Sequence, residues 1–338
     1  MKNATRVLYA AYLKHLAEIN GVASPEQKFA VSPTIEQTLE DRIQESAAFL
    51  SQVNVVGVDD QSAEVLGLGI GTPAAGRTDT KTKDRQPRAI HDMTGRTYTC
   101  KQTNFDTFIT YNELDIWAKF KDFQTRIRDH IIRQIARDRL TIGFNGTSAA
   151  ADTDLAANPL LQDVNVGWLQ HIREDAPERV LSGLKVGTEA GADVRNLDAL
   201  VQDAVGELLD PWYQDDSEIV AITGRTLLAD KYLALTNSAA TDAPTEKAAL
   251  ATLTANKTLG GKLAKSVPFF PAKSILITKA SNLSIYYQNG TRRRFVKENP
   301  ARDRVEDFQS VNEAYVVEDL GACAFLENIL TWNGEAWV

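Results

Sequence analysis

The chain is poor in the residues that carry most enzyme chemistry. Its 338 residues include two cysteines, Cys100 and Cys323, and four histidines, His15, His91, His130 and His171. The cysteines stand far apart and outside any CxxC pattern, which argues for two buried thiols rather than a disulfide or a metal pair. The histidines lack ligand spacing, so a structural zinc site is not expected. No apolar run approaches transmembrane length. The amino-terminal apolar stretch, broken by Lys14, His15 and Glu18, does not read as a secretory signal. Signatures of the GxSxG and HExxH kinds are absent. Gly67, Gly69 and Gly71 are followed by Thr72 and Pro73, so no helix can start there to offer its N-terminus to a pyrophosphate. Acidic residues outnumber basic ones, 45 against 37, for a net charge of −8. A chain with that balance does not hold nucleic acid tightly over its whole surface.

What remains is ordered and built for contact. Residues 5–20 read as an amphipathic helix with Leu8, Tyr12, Leu16 and Ile19 on one stripe, stopped by Asn20-Gly21. A polar hinge with two prolines, GVASPEQKFAVSP, follows it. A helix set off in this way is a docking arm, a removable segment or a frayed terminus. Residues 34–51 form a second helix and VNVVGV a short strand. From about Gly67 to Tyr98 runs a Gly- and Thr-rich excursion with strand-like flanks, which suggests a long extended hairpin. It carries six basic and three acidic residues between Arg77 and Arg96.

Residues 112–142 carry the strongest helical signal, with Asn112 as the N-cap, Asn145-Gly146 as the stop, and Trp117, Phe120, Phe123, Ile127, Ile131 and Ile135 at spacings of three and four. Continuous, this helix would be on the order of 45 Å long. Its other face bears Arg126, Arg128, Arg133 and Arg137 with interspersed aspartates, the pattern of a solvated face. Asn196 caps a further helix, and seven acidic residues without one Lys or Arg occupy 196–224. This belt could complement the basic excursion of a neighbouring copy, or be a solvated helix face. Strands at 218–222 and 274–278 with a helix between them suggest a small α/β unit over 196–278. Asn289-Gly290 reads as a type I′ hairpin turn. Alternation then puts Arg292 and Arg294 on one face and Arg293 on the other, a placement suited to ion pairing at an interface. The run from Phe270 to Asp319 holds three strands and many charges but no His or Cys.

Long collinear runs carry a resemblance. FDTFITYNELDIWAKFKDFQTRIRDHII (105–132), NPLLQDVNVGWLQ (158–170), DPWYQDD (210–216), GRTLLADKY (224–232) and the run through YVVED resemble the major capsid protein of P2-like tailed phages. The resemblance implies an α+β fold of the HK97-like capsid type. It divides the chain into a scaffold-interacting pro-segment (1–29), an amino-terminal arm (30–60), an extended E-loop hairpin (61–104) and a peripheral domain with a spine helix (105–195). An axial domain (196–278) and return strands of the peripheral domain with a tail (279–338) complete it. The implied function is a non-enzymatic shell of hexamers and pentamers around double-stranded DNA, needing no cofactor. The implied partners are other copies of the chain, an internal scaffold/protease protein, a portal protein and DNA held by weak non-specific contact. KFAVSP is similar to the family's processing region and places the cut between Phe29 and Ala30. Contacts between subunits are expected at Arg77, Lys81, Lys83, Arg85 and Arg88 of the E-loop. Further contacts are expected at Asp210, Asp215 and Asp216 of the acidic belt and at Arg292 and Arg294. The implied location is the virion capsid, assembled in the host cytoplasm. Two other readings stand beside this one: a nanocompartment shell of the same fold, and an α/β nucleotide-binding enzyme supported only by Gly67–Gly71 and strand–helix alternation.

Overall fold

A computed structural model describes residues 1–65, 75–87, 95–120, 122–229, 231 and 257–337. In chain order the elements are α1 (Asn3–Asn20), β1 (Phe29–Ala30), α2 (Pro33–Glu45), β2 (Asn54–Val58), β3 (Ser62–Glu64), β4 (Thr97–Thr99), β5 (Lys101–Asn104), β6 (Thr107–Thr110), α3 (Tyr111–Trp117) and α4 (Phe123–Asn145). There follow α5 (Trp168–Asp175), β7 (Val180–Ser182), β8 (Lys185–Val186), α6 (Leu197–Leu208), α7 (Pro211–Gln214), β9 (Val220–Thr223), β10 (Thr258–Leu259), β11 (Lys262–Ser266) and β12 (Ile275–Thr278). The chain closes with β13 (Leu283–Gln288), β14 (Arg293–Asn299), β15 (Arg304–Val317), β16 (Ala324–Glu327) and β17 (Leu330–Thr331).

Two compact units divide these elements. The first comprises Met1–Ser62, Thr99–Gly167 and Ser284–Tyr315. Its sheet is organised around β15, which bonds to β14 and β13 and, along Arg304–Asp307 and Ser310–Glu313, to β6 and β5. β2 joins parallel to β13, and β1 forms the edge beyond β14. The long helix is interrupted: α3 ends at Trp117 and α4 starts at Phe123, so the 23 residues of α4 span about 35 Å, not 45. The start also differs from the expected Asn112. Thr110 caps α3, its hydroxyl accepting from the Glu113 amide while the Glu113 carboxylate accepts from the Thr110 amide. The stop at Asn145, with Gly146 as cap, is where the sequence places it.

The Asn289-Gly290 hairpin is a correction. β14 pairs with Arg304–Ser310 of β15, Gln288 at the end of β13 accepts from Asn312, and Asn282 just before β13 accepts from the Glu318 amide. The chain therefore keeps its direction through 289–292 instead of reversing. Gly290 alone takes a positive φ, +70°, whereas a type I′ turn needs two such residues in succession. The insertion behaves as a bulge, and the true reversal lies at Pro300–Asp303, where Asp303 takes φ +50°.

The second unit comprises Ala63–Tyr98, Trp168–Leu283 and Val316–Val338. Its six-stranded sheet runs β10-β11-β9-β12-β16-β7 with mixed directions. Leu200, Val201 and Ala204 of α6 pack on Ala221, Ile275, Ile277 and Leu326 of that sheet. Asn196 caps α6 as expected, accepting from the Ala199 amide. The second unit is larger than the 196–278 expected for an axial domain. Antiparallel pairing of β16 with β12, and of β7 with β16 in parallel, draws 180–182 and 324–327 into it, so the last strands do not return to the first unit. The expected hairpin over 61–104 begins with β3 paired to β4; Gly67, Gly69 and Gly71 lie outside the described residues.

Ile277 is fully buried in the core of the second unit. Ile277→Ala should lower stability by about 2–5 kcal/mol, because a deleted core side chain loses transfer energy and leaves a cavity. Urea denaturation followed by tryptophan fluorescence measures it, and an unchanged midpoint would contradict the core described.

Candidate functional site

No cleft with converging catalytic groups stands out among the described residues. The densest arrangement of charge is a buried network in the first unit. Arg139 of α4 is fully buried, and its Nη1 donates to Glu40 Oε2 of α2 at 2.5 Å. Its Nη2 donates to Glu40 Oε1 at 3.1 Å and to Glu313 Oε1 of β15 at 2.6 Å, and its Nε reaches the same Glu313 oxygen at 3.1 Å. Arg292, delivered by the bulge and 1% exposed, donates from Nη2 to Glu40 Oε1. Glu36, one turn before Glu40 and also buried, accepts from the Gly290 amide at 3.0 Å. The bulge thus serves the packing of the unit, because it turns the Gly290 N–H and the Arg292 guanidinium onto α2.

The electrostatics follow from burial and pairing. Desolvation works against ionised Glu40, but the two guanidiniums outweigh it and hold the carboxyl at about 2. Desolvation likewise opposes charge on Arg139, and Glu313 and Glu40 reverse this to keep it protonated. Glu36 is pushed upward, chiefly by burial, since its nearest donors are neutral amides. Arg292 Nε and Nη1 and Glu36 Oε1 find no hydrogen-bond partner among the described residues. The network is therefore costly to desolvate, and its worth depends on all members being present.

The amino-terminal segment lies on the same unit. α1 packs Tyr9, Tyr12 and Leu16 against Leu114, Val296 and Val305, so the helix is docked, not detached. Its stripe is rotated from the expected one, since Leu8 and Ile19 are exposed at 38% and 48% while Tyr9 is buried. Arg6 pairs with Glu298 at 3.0 Å, and Arg294 Nη2 donates to the Tyr12 hydroxyl at 2.9 Å. A cavity of about 300 Å³ remains beneath the helix, lined in part by Tyr9, Tyr12, Trp117, Ile127 and Ile131. Phe29 and Ala30 form β1, in register with Arg294 and Arg293. The Phe29 side chain is buried and Ala30 is exposed.

The other expected contact residues fall into two groups. Arg77, Lys81, Lys83 and Arg85 are exposed, and Arg88 lies outside the described residues. Asp215 is exposed. By contrast, Asp210 pairs with Arg179 at 2.7 Å and Asp216 with Lys279 at 2.5 Å within the second unit. The hairpin arginines engage their own unit: Arg292 is buried on Glu40, and Arg294 pairs with Asp307 at 2.6 Å. Alternation is as expected, with Arg293 exposed, but the inward side chains serve the unit itself. Sequence reasoning missed Arg139, Glu40 and Glu313. The available signal was position. Arg139 stands at helical spacing from Ile132 and Ile135, Glu40 from Ile43, and Glu313 at strand spacing from Val311 and Tyr315, all on buried faces.

Two outcomes follow. Arg139→Met should cost about 3–5 kcal/mol, because it leaves Glu313 buried without its cation and Glu40 with Arg292 alone; thermal unfolding reads this. Glu40 has a depressed folded-state pKa, so its stabilisation is fully present above its unfolded pKa and is lost as pH falls toward about 2. That loss should reach roughly 3 kcal/mol, with Glu36 acting in the opposite sense. Denaturation midpoints between about pH 5 and pH 2 should fall less steeply in Glu40→Gln than in the parent chain, and equal slopes would contradict the assignment.

Comparison with known proteins places this architecture. The profile of the family described as "Phage major capsid protein, P2 family" matches residues 8–329. The capsid protein of Escherichia phage P2 is 42% identical over 344 residues, covering 97% of this chain and 95% of the relative. The major capsid protein of Serratia phage KSP20 is 40% identical, covering 97% of each. Among solved structures, a chain of the satellite phage P4 procapsid that includes the size determination (Sid) protein superposes with a TM-score of 0.81 at 40% identity, covering 98% of this chain and 99% of that one. Near-complete coverage at this identity, on an α+β fold of the HK97-like capsid type, shows that the chain belongs to the P2 family of phage major capsid proteins.

Proposed function

We propose that this chain builds the icosahedral head of a tailed phage, assembling as hexamers and pentamers around double-stranded DNA. The observation that carries this is the likeness, over nearly the full length of both chains, to a subunit of an assembled procapsid. In this reading the first unit is the peripheral domain, the second the axial domain, and the hairpin rooted at β3 and β4 the E-loop. Contacts between subunits fall to exposed charges, Arg77, Lys81, Lys83 and Arg85 on the E-loop and Asp215 on the axial unit. The internal pairs of Asp210, Asp216, Arg292 and Arg294 hold each subunit in shape.

The chain is made as a precursor and trimmed between Phe29 and Ala30 by a protease associated with the internal scaffold, and the shell closes on a portal protein. The subunit works in the virion capsid after assembly in the host cytoplasm. The net charge of −8 suits a container, since it weakens the hold on a genome that must leave.

Expression with the scaffold protein of the same phage should give closed particles by negative-stain electron microscopy; only monomers under those conditions would contradict the proposal. Intact mass of the subunit from purified virions should correspond to a chain lacking Met1–Phe29, and retention of those residues would contradict the processing step.

A further inference from the structure

The bond between Phe29 and Ala30 is not presented to solvent as a protease needs it. It lies in β1, paired to Arg294 and Arg293, and the next amide, that of Val31, donates to the Arg292 carbonyl at 2.9 Å. Upstream, the Pro25 carbonyl accepts from the Val296 amide at 3.0 Å. Phe29 and Val31 are 9% and 6% exposed. A protease takes its substrate as an extended segment whose side chains enter pockets of the enzyme. Here those side chains are already seated in the subunit's own apolar cluster, together with Tyr9 and Leu16 of α1. Burial and strand pairing thus protect the bond as long as α1 stays in place.

The dock of α1 is weaker than the hold on α2. α2 is fixed through Glu40 to two buried arginines. α1 has no such clamp: it is held by Tyr9 and Leu16 in the apolar cluster and by polar ties, the Arg6–Glu298 pair, whose arginine is 55% exposed, the Tyr12 hydroxyl on Arg294, and the Lys2 amide on Asp115. The exposed Arg6–Glu298 pair contributes little. The cavity between α1 and α4 further reduces the contact the helix makes. Locally weak elements open without global unfolding.

We infer that the amino-terminal region is a latch: the scissile bond is latent while α1 occupies its groove, and release of α1 with β1 exposes it, while the Glu40 clamp retains the chain from α2 onward. The inference rests on the processing reading above. It adds that access to the bond, not only the sequence around it, sets when it is cut.

Chymotrypsin, which cuts after aromatic residues, tests this on the full-length folded chain without the phage protease. Trp212, 74% exposed on the other unit, is the internal reference. Mass-mapped cleavage after Phe29 should be at least about tenfold slower than at Trp212, because cutting tracks the small open population. Arg6→Ala and Tyr12→Phe together should speed cleavage after Phe29 about fivefold or more, with Trp212 unchanged. Arg6→Ala alone, at an exposed position that cannot unfold the unit, should move the rate in the same direction. Cleavage after Phe29 as fast as at Trp212 in the parent chain, or a rate indifferent to both variants, would overturn the latch. The virion subunit mass is separate: an uncut subunit there would refute processing while leaving the measured protection intact.

Discussion

Two buried arginines meeting one carboxylate on α2 are the constraint on which the first unit depends. Glu40 lies between Arg139 of α4 and Arg292 of the bulge, while Glu313 of β15 completes the coordination of Arg139. Through these four side chains α2, α4 and β15, the central strand of the sheet, are tied at one point. Apolar packing alone would leave the rotation of α2 loosely specified. A fully buried charge pair has one satisfactory geometry and severe penalties elsewhere, which makes it a register device more than a source of stability.

The same arrangement separates two parts of the amino-terminal region that are close in sequence. From α2 onward the chain is clamped by buried charge. Before β1 it is held without buried ion pairs, by apolar packing over an incompletely filled groove and by the exposed Arg6–Glu298 pair. In the proposed precursor, which loses one part and keeps the other, that contrast in physical strength belongs where the cut falls. Acidity acts on the clamp in a definite direction, because Glu40 must be ionised for Arg139 and Arg292 to be satisfied.

Much of this was legible in the sequence where local signals decide structure. Asn20-Gly21, Asn145-Gly146 and the Asn196 cap mark helix ends correctly because capping is a property of a few neighbouring residues. Asn289-Gly290 misled because the turn signal is also local, whereas the outcome is set by the long partner strand β15, which holds the chain straight on both sides of it. The break after Trp117 carries no glycine or proline and had no comparable marker. The membership of 324–327 in the second unit depends on pairing with β12, a strand far earlier in the chain, which periodicity does not encode. The charge network escaped for a different reason: arginine-rich helix faces are usually solvated, and Arg139 differs from Arg133 and Arg137 only in lying on the apolar stripe.

A double-mutant cycle between Glu40→Gln and Arg139→Met tests the central claim directly, since it isolates the interaction from the cost of each substitution. With unfolding free energies measured at neutral pH, the account predicts that the pair together costs less than the sum of the singles, by about 2 kcal/mol or more. Additive effects would show that α2 is held by its apolar contacts and that the buried charges do not set its place.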